Sequence, residues 1–241
     1  MVHSSNSENA RFYTTGQERR KAAGEPFDAG CTRCPRLAEF LGAVRERHAG
    51  YHARPVPAFG VMPPRLLVVG LAPGLHGANR TGRPFTGDYA GELLYRTLHR
   101  YGFASAPVSV AADDGLQLAA ACVTNAVRCV PPANRPMPAE VRACNGYLRH
   151  ELGELAPGAA ILALGTVAHG AVLAALDLRQ AAFRFAHGAV HALPSGQALF
   201  DSYHCSRYNT QTRRLTAEMF EDVVAAARAH LDRGPAATTA S

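Results

Sequence analysis

The chain has 241 residues, 47% hydrophobic and 18% charged, enough apolar content to bury a full core and too little charge for a disordered chain. Its 25 Lys and Arg against 19 Asp and Glu leave a net charge of +6, a moderately basic balance that admits nucleic acid or small anions as partners without singling out either. Lys21 is the one lysine; arginine suits phosphate recognition, and an Arg/Ala-rich coding bias yields the same composition.

No charged segment followed by an apolar run opens the chain, so no signal peptide and a cytoplasmic location are expected. Residues 1–23 are polar and basic and read as a loosely held, flexible arm. Residues 24–233 are expected to form one domain, and 234–241 a disordered tail. Cys31-Thr32-Arg33-Cys34-Pro35 leads into a helical pattern carried by Leu37, Phe40, Leu41 and Val44. Residues 51–59, with Pro55 and Pro57, read as an extended lead. Residues 65–69 are a continuous apolar run, the pattern of a strand covered on both faces of a parallel sheet.

After the loop that follows this strand, Leu93, Leu94, Leu98 and Tyr101 fall at helical spacing and Gly102 stops the helix. Residues 119–127 read as a second buried strand, 138–155 as a helix opened by Pro138, and 160–164 as a third strand followed by a helix over 166–176. The uncharged stretch 158–176 is long enough to suggest a membrane span. Gly165, Thr166, His169 and Gly170 break it into strand, turn and helix, so no membrane partner is expected. Residues 198–203 make a fourth strand, and Thr216 caps a last helix running to Leu231. Strands alternating with helices predict an α/β fold, a three-layer α/β/α sandwich with a central, mostly parallel sheet.

The loop over residues 70–88 reads GLAPGLHGANRTGRPFTGD and carries five glycines and two prolines. It fits neither G-x-x-x-x-G-K-[ST] nor G-x-G-x-x-G and holds no lysine, which argues against a nucleotide-phosphate loop. Backbone donors freed by glycine, with Phe85 as a platform, suit a flat polar ring better. Two more polar loops, starting at Asn125 and at His204, lie at carboxyl ends of parallel strands, and such loops converge over one crevice. There Asn125 can read an amide edge and His204 can donate to an oxygen that gains charge. The bland reading of each is a turn-capping Asn, a core Phe and a surface His.

The six cysteines do not read as a disulfide framework. Cys122 sits inside an apolar strand and reads as a small core residue. Cys31, Cys34, Cys129 and Cys144 can hold zinc or a [4Fe–4S] cluster; zinc is the commoner outcome, but the second pair is too widely spaced for a simple zinc ribbon.

GLAPG with GRPFTGD, then TNAVRCVPP, then H-x-S-x-x-N-T-x-T at residues 204–212, together with the early Cys-x2-Cys, closely resemble a bacterial or archaeal uracil-DNA glycosylase of the iron–sulfur branch, family 5 (type B) in particular. The resemblance covers roughly residues 31–231. It implies a [4Fe–4S] cluster on Cys31, Cys34, Cys129 and Cys144. It further implies that Phe85 stacks on an extruded base, that Asn125 faces its pyrimidine edge and that His204 stabilises charge on the departing base. Ala72 and Gly74 would border that base, and Arg207, Tyr208 and Asn209 would contact DNA, filling the gap left by the flipped base or gripping phosphate. Ala72 stands in the stretch where most uracil-DNA glycosylases carry a water-positioning Asp or Asn, so that task would fall to Asp88. The competing role for Asp88 is to cap the helix that follows. The family usually has proline after the histidine; Cys205 stands there, which is expected to loosen the loop.

The implied activity is that of a monomeric, monofunctional glycosylase acting on DNA that contains uracil, or larger deaminated bases such as hypoxanthine, and leaving an abasic site. No histidine-bearing Arg/Lys insert of the covalent uracil-binding relatives is present, which favours turnover. Two other readings stand beside it: a damage sensor that holds uracil-DNA without cleaving it, and a zinc-stabilised nucleotide hydrolase.

Overall fold

A computed structural model describes residues 24–234; the arm expected over residues 1–23 and most of the tail expected over 234–241 lie outside them. The elements in chain order are helix α1 (Pro35–Arg47), strands β1 (Phe59–Gly60) and β2 (Leu66–Gly70), helices α2 (Ala78–Thr81) and α3 (Tyr89–Arg100), strand β3 (Ala121–Asn125) and helix α4 (Pro138–Gly153). Strand β4 (Ala160–Leu164), helix α5 (Thr166–Ala175), strands β5 (Val190–Ala192) and β6 (Ala198–Ser202), and helices α6 (Arg207–Gln211) and α7 (Ala217–Asp232) complete it.

One six-stranded sheet runs in the order β1-β3-β2-β4-β6-β5. Its four inner strands pair in parallel, while β1 and β5 pair antiparallel at the two edges. The inner strands are buried at every position, as their unbroken apolar runs predict. Side chains alternate across the sheet. Leu66, Val68, Leu162 and Phe200 pack on one face with Leu94 and Leu98 of α3 and Phe220 and Val224 of α7. Leu67, Val69, Ile161 and Ala163 pack on the other with Leu148 and Leu152 of α4 and Val172 of α5. Each of the larger side chains contributes roughly 1.5–3 kcal/mol on burial, so the three layers follow from strands with two apolar faces. Among the described residues no helix is long and apolar enough to cross a membrane.

The two edge strands lie where the sequence shows no strand pattern, because they are two and three residues long and partly exposed. The second inner strand is shorter than expected: Ala120 takes a left-handed φ of 53° just before β3, and beyond Asn125 the chain bonds to Gly70 and Leu71 carbonyls through Ala126 and Val127 N–H groups.

Because β3 and β4 lie on opposite sides of β2, the chain reverses direction across the sheet there, and the carboxyl ends of β2, β3, β4 and β6 open on one crevice. Behind it the segment after β3 is held by Arg128, whose Nη2 donates to Glu151 Oε1 at 2.6 Å, both side chains being buried. Glu151→Ala leaves that guanidinium buried without a counter-charge, a loss of about 3–5 kcal/mol, which lowers Tm by roughly 6–20 °C. Thermal unfolding checks this; an unchanged Tm refutes it, and Arg128→Met with Glu151→Leu should recover most of the loss.

Candidate active site

The crevice holds a cavity of about 490 Å³ that reaches all four parallel strand ends. Ala72, Gly74, Phe85 and Asp88 come from the loop after β2, Asn125 from the end of β3, Gly165 from the turn after β4, and His204, Arg207 and Asn209 from the segment after β6. Of the residues the sequence assigns to this site, only Tyr208 is not part of the wall; it stands at the rim, 71% exposed.

Gly70 fixes the geometry. It pairs in register with Asn125 across the parallel ladder, and a Cβ on it would lie 2.4 Å from Asn125 Oδ1 and 2.5 Å from the Phe85 ring. Phe85 itself is buried and holds a left-handed φ of 53°, a strained backbone for a bulky side chain that surrounding contacts must sustain. Two contacts do so: Tyr95 Oη donates to the Pro84 carbonyl at 2.7 Å, and Gly91 leaves room for the Phe85 carbonyl, which a Cβ would meet at 1.8 Å. Asn125 is 3% exposed, it lines the cavity, and among the described residues its Oδ1 has no hydrogen-bond partner, a costly state for a buried acceptor.

His204 stacks on Phe85 with centroids 5.8 Å apart and planes 27° from parallel. Desolvation lowers its pKa to about 4, so the imidazole is neutral at physiological pH. Its carbonyl accepts from Asn209 Nδ2 at 2.8 Å, and Ser206 caps α6 by accepting from the Asn209 N–H. Cys205, expected to loosen this segment, is wholly buried in the core against one face of the sheet. The loop is therefore tied by side-chain bonds and a core thiol where a proline would restrict φ.

Asp88 combines both readings the sequence left open. Its Oδ1 accepts from Gly91 N–H at 3.0 Å as the N-cap of α3, and the residue also lines the cavity. Burial raises its pKa. Oδ2 is directed at the glycines of the loop: a Cβ on Gly77 would lie 2.3 Å from it and one on Gly74 3.4 Å. Gly70 and Gly77 therefore serve chiefly to make room for the protein's own side chains, where the sequence suggested close approach to a ligand. A short helix, α2, fills the middle of the loop.

A second, smaller cavity is lined by Cys31, Cys34, Cys129 and Cys144 together. These four free thiols come from the lead into α1, the segment after β3 and α4. Backbone and guanidinium donors point at two of them: Arg128 N–H at Cys144 Sγ, 3.3 Å, and Arg33 Nε at Cys31 Sγ, 3.3 Å. Cys122 is buried in the core as expected.

Several wall residues carry no signal the sequence reading used. Gly165, Thr166 and Val167 lie at the carboxyl end of β4, a position the convergence of parallel strand ends would have exposed. Phe185 lies in an irregular segment and Asn134 ends a single 3-10 turn, neither with any periodicity, Tyr203 reads as the end of a strand, and Arg214 as one of many surface arginines.

Residues 57–228 match the family model of the uracil DNA glycosylase superfamily. A type-5 uracil-DNA glycosylase of Thermus thermophilus is 50% identical over 203 residues, covering 82% of this chain and 92% of that protein. The type-5 protein of Pyrobaculum aerophilum is 43% identical over 203 residues, covering 83% and 88%, and that of Mycobacterium tuberculosis 45% identical over 204, covering 80% and 75%. The chain belongs to the uracil-DNA glycosylase superfamily and, within it, to the type-5 enzymes.

Proposed function

We propose that this enzyme flips uracil, and larger deaminated bases such as hypoxanthine, out of DNA into the 490 Å³ cavity and hydrolyses the N-glycosidic bond to leave an abasic site. The observation that carries the reading is the unpartnered Asn125 Oδ1, buried beside the Phe85 ring at the end of β3. A ring N–H flanked by carbonyl oxygens satisfies both halves of that amide, and Phe85 provides an aromatic surface for the ring. Ala72 places no polar group on the wall it shares, which leaves room for a purine.

The leaving base takes up negative charge as the C1′–N bond breaks. His204, neutral because its pKa is near 4, donates an N–H to the oxygen that gains this charge and retains its own proton, a preorganised electrostatic role. Asp88 accepts from water with Oδ2 or stabilises the oxocarbenium-like sugar, while Oδ1 stays on Gly91. Arg207, whose guanidinium lies 5.2 Å from the Tyr89 ring centroid, and the exposed Tyr208 stand at the rim to grip phosphate and fill the space the flipped nucleotide leaves. Asn209 supports them by holding the His204 carbonyl.

The four cysteines fit a [4Fe–4S] cluster, which would cross-link α1, α4 and the segment after β3. Four thiols brought to one cavity from three separate segments are a donor set such a cluster takes.

Single-turnover assays on uracil-containing duplex test the roles. His204→Ala and Asp88→Ala should each slow cleavage by about 10²–10³-fold, the loss expected of one electrostatic group, with DNA binding much less affected. Asp88→Asn keeps the cap and should still lose the rate; if it cleaves at the wild-type rate, Asp88 is a cap alone. Tight retention of the duplex without alkali-labile product would instead establish a damage sensor.

The pH dependence has a definite sign. His204 binds a proton more weakly folded than unfolded, so its contribution to stability is complete above pH 6.5 and is lost as pH falls from there towards 4. An NMR titration should find this imidazole neutral at pH 6; a midpoint near 6.5 refutes the assignment. For the cofactor, the purified protein should be brown with iron and sulfide in proportion, and Cys129→Ser should lose both. Zinc alone would overturn it.

A further inference from the structure

The cavity is several times larger than one pyrimidine ring, and its wall carries two clusters of side chains. Asn125 and Phe85 meet against Gly70; Phe185 lies beside Tyr203, with ring centroids 6.2 Å apart, and Tyr203 faces Arg214. The base-excision chemistry uses only the first. We propose that the second cluster is a subsite for the nucleotide next to the flipped one on the same strand, with its base on the Phe185 ring and its phosphate at Arg214. The proposal rests on the excision reading for its ligand and on separate residues for its geometry.

Phe185 lies in an irregular segment between α5 and β5 that is nonetheless firmly fixed. His169 of α5 bonds the Phe183 carbonyl through Nε2 at 2.8 Å and Asp201 Oδ1 through Nδ1 at 2.8 Å, and His191 Nε2 reaches Asp201 Oδ2 at 3.1 Å. The edge of the Phe185 ring packs on His169 with centroids 5.6 Å apart. These bonds set the buried His169 and Asp201 and the partly buried His191 behind a surface segment, and what they hold in place is a half-buried aromatic ring facing the cavity.

Arg214 is placed by the neighbouring aromatic. Its guanidinium lies 4.5 Å from the centroid of Tyr203, which also stacks on His187 with centroids 5.1 Å apart. Among the described residues no carboxylate pairs with Arg214. A guanidinium fixed through its face keeps its N–H edge for an anion, and an aromatic ring beside a phosphate-binding arginine is the pairing that holds single-stranded nucleotides. Asp201 and Tyr203 flank the strand end that delivers His204, so the neighbouring nucleotide and the departing base are positioned by one rigid segment.

The test measures binding by fluorescence anisotropy to duplexes carrying a non-hydrolysable 2′-fluorinated deoxyuridine, with intact neighbours or with an abasic analogue on the 5′ or the 3′ side. Wild type should lose affinity about tenfold on one abasic-flanked duplex, within the range of one base stacked on an aromatic ring. Phe185→Ala, and Phe185→Leu as the packing-conservative variant, should lose the same factor on the intact duplex and nothing further on that abasic-flanked one. Arg214→Gln should reduce the salt slope of binding by about one. Wild-type affinity of Phe185→Leu for the intact duplex, or a deficit undiminished on both abasic-flanked duplexes, overturns the subsite. Release of uracil by wild type is scored separately: its absence with the neighbour effect intact sinks the excision reading and leaves the subsite standing.

Discussion

The site depends on a vacant Cβ position. In a parallel ladder Gly70 and Asn125 are register partners, so any side chain on Gly70 would occupy the space where the Asn125 amide and the Phe85 ring meet. Those groups come from two loops and are brought together by close-packed strands whose register cannot slip without turning every apolar side chain to the wrong face. The buried unpaired Oδ1 of Asn125 and the left-handed backbone of Phe85 each cost free energy, and both costs fall on the same few cubic ångströms. The apolar sheet supplies the stability against which they are set.

The rest of the loop after β2 solves a related problem. The role proposed for Asp88 requires a carboxylate held without being neutralised, and Asp88 is held through one oxygen by the first turn of α3. That leaves the other oxygen over Gly74 and Gly77, where a side chain would displace it. The helix N-terminus both fixes the group and favours its charged form, opposing the desolvation that raises its pKa. Capping and chemistry are therefore compatible uses of one side chain, and Ala72 need not carry a polar group for the cavity to contain one.

The parallel inner sheet, its flanking helices and the meeting of Asn125, Phe85 and His204 were legible in the sequence because unbroken apolar runs fix the strands and the ends of parallel strands share a side. The edge strands β1 and β5 were not, since two or three partly exposed residues carry no periodicity. Within the loop, glycine spacing showed that space was needed without showing for what: Gly77 faces Asp88, eleven residues on. The Cys205 position misled for a different reason. Only the structure shows that Asn209 ties the His204 carbonyl and that the thiol is part of the core. Phe185 left no trace in the pattern, because its placement depends on His169 and Asp201, partners on two other elements.

The cysteine site and the base pocket are joined by a very short piece of chain. Asn125 ends β3 in the pocket, and four residues on Cys129 lies with the other three thiols. Between them Ala126 and Val127 bond the carbonyls of Gly70 and Leu71, and Arg128 anchors to Glu151 of α4, the helix that also bears Cys144. Moving Cys129 would therefore strain bonds to the same backbone that frames Asn125 and Ala72. A cluster held by the four thiols would cross-link α1, α4 and this segment and so act on pocket geometry through packed, hydrogen-bonded chain. The proposed roles of Asn125 and His204 require such a rigid tie, since a preorganised electrostatic site works only if its groups are in place when the base arrives.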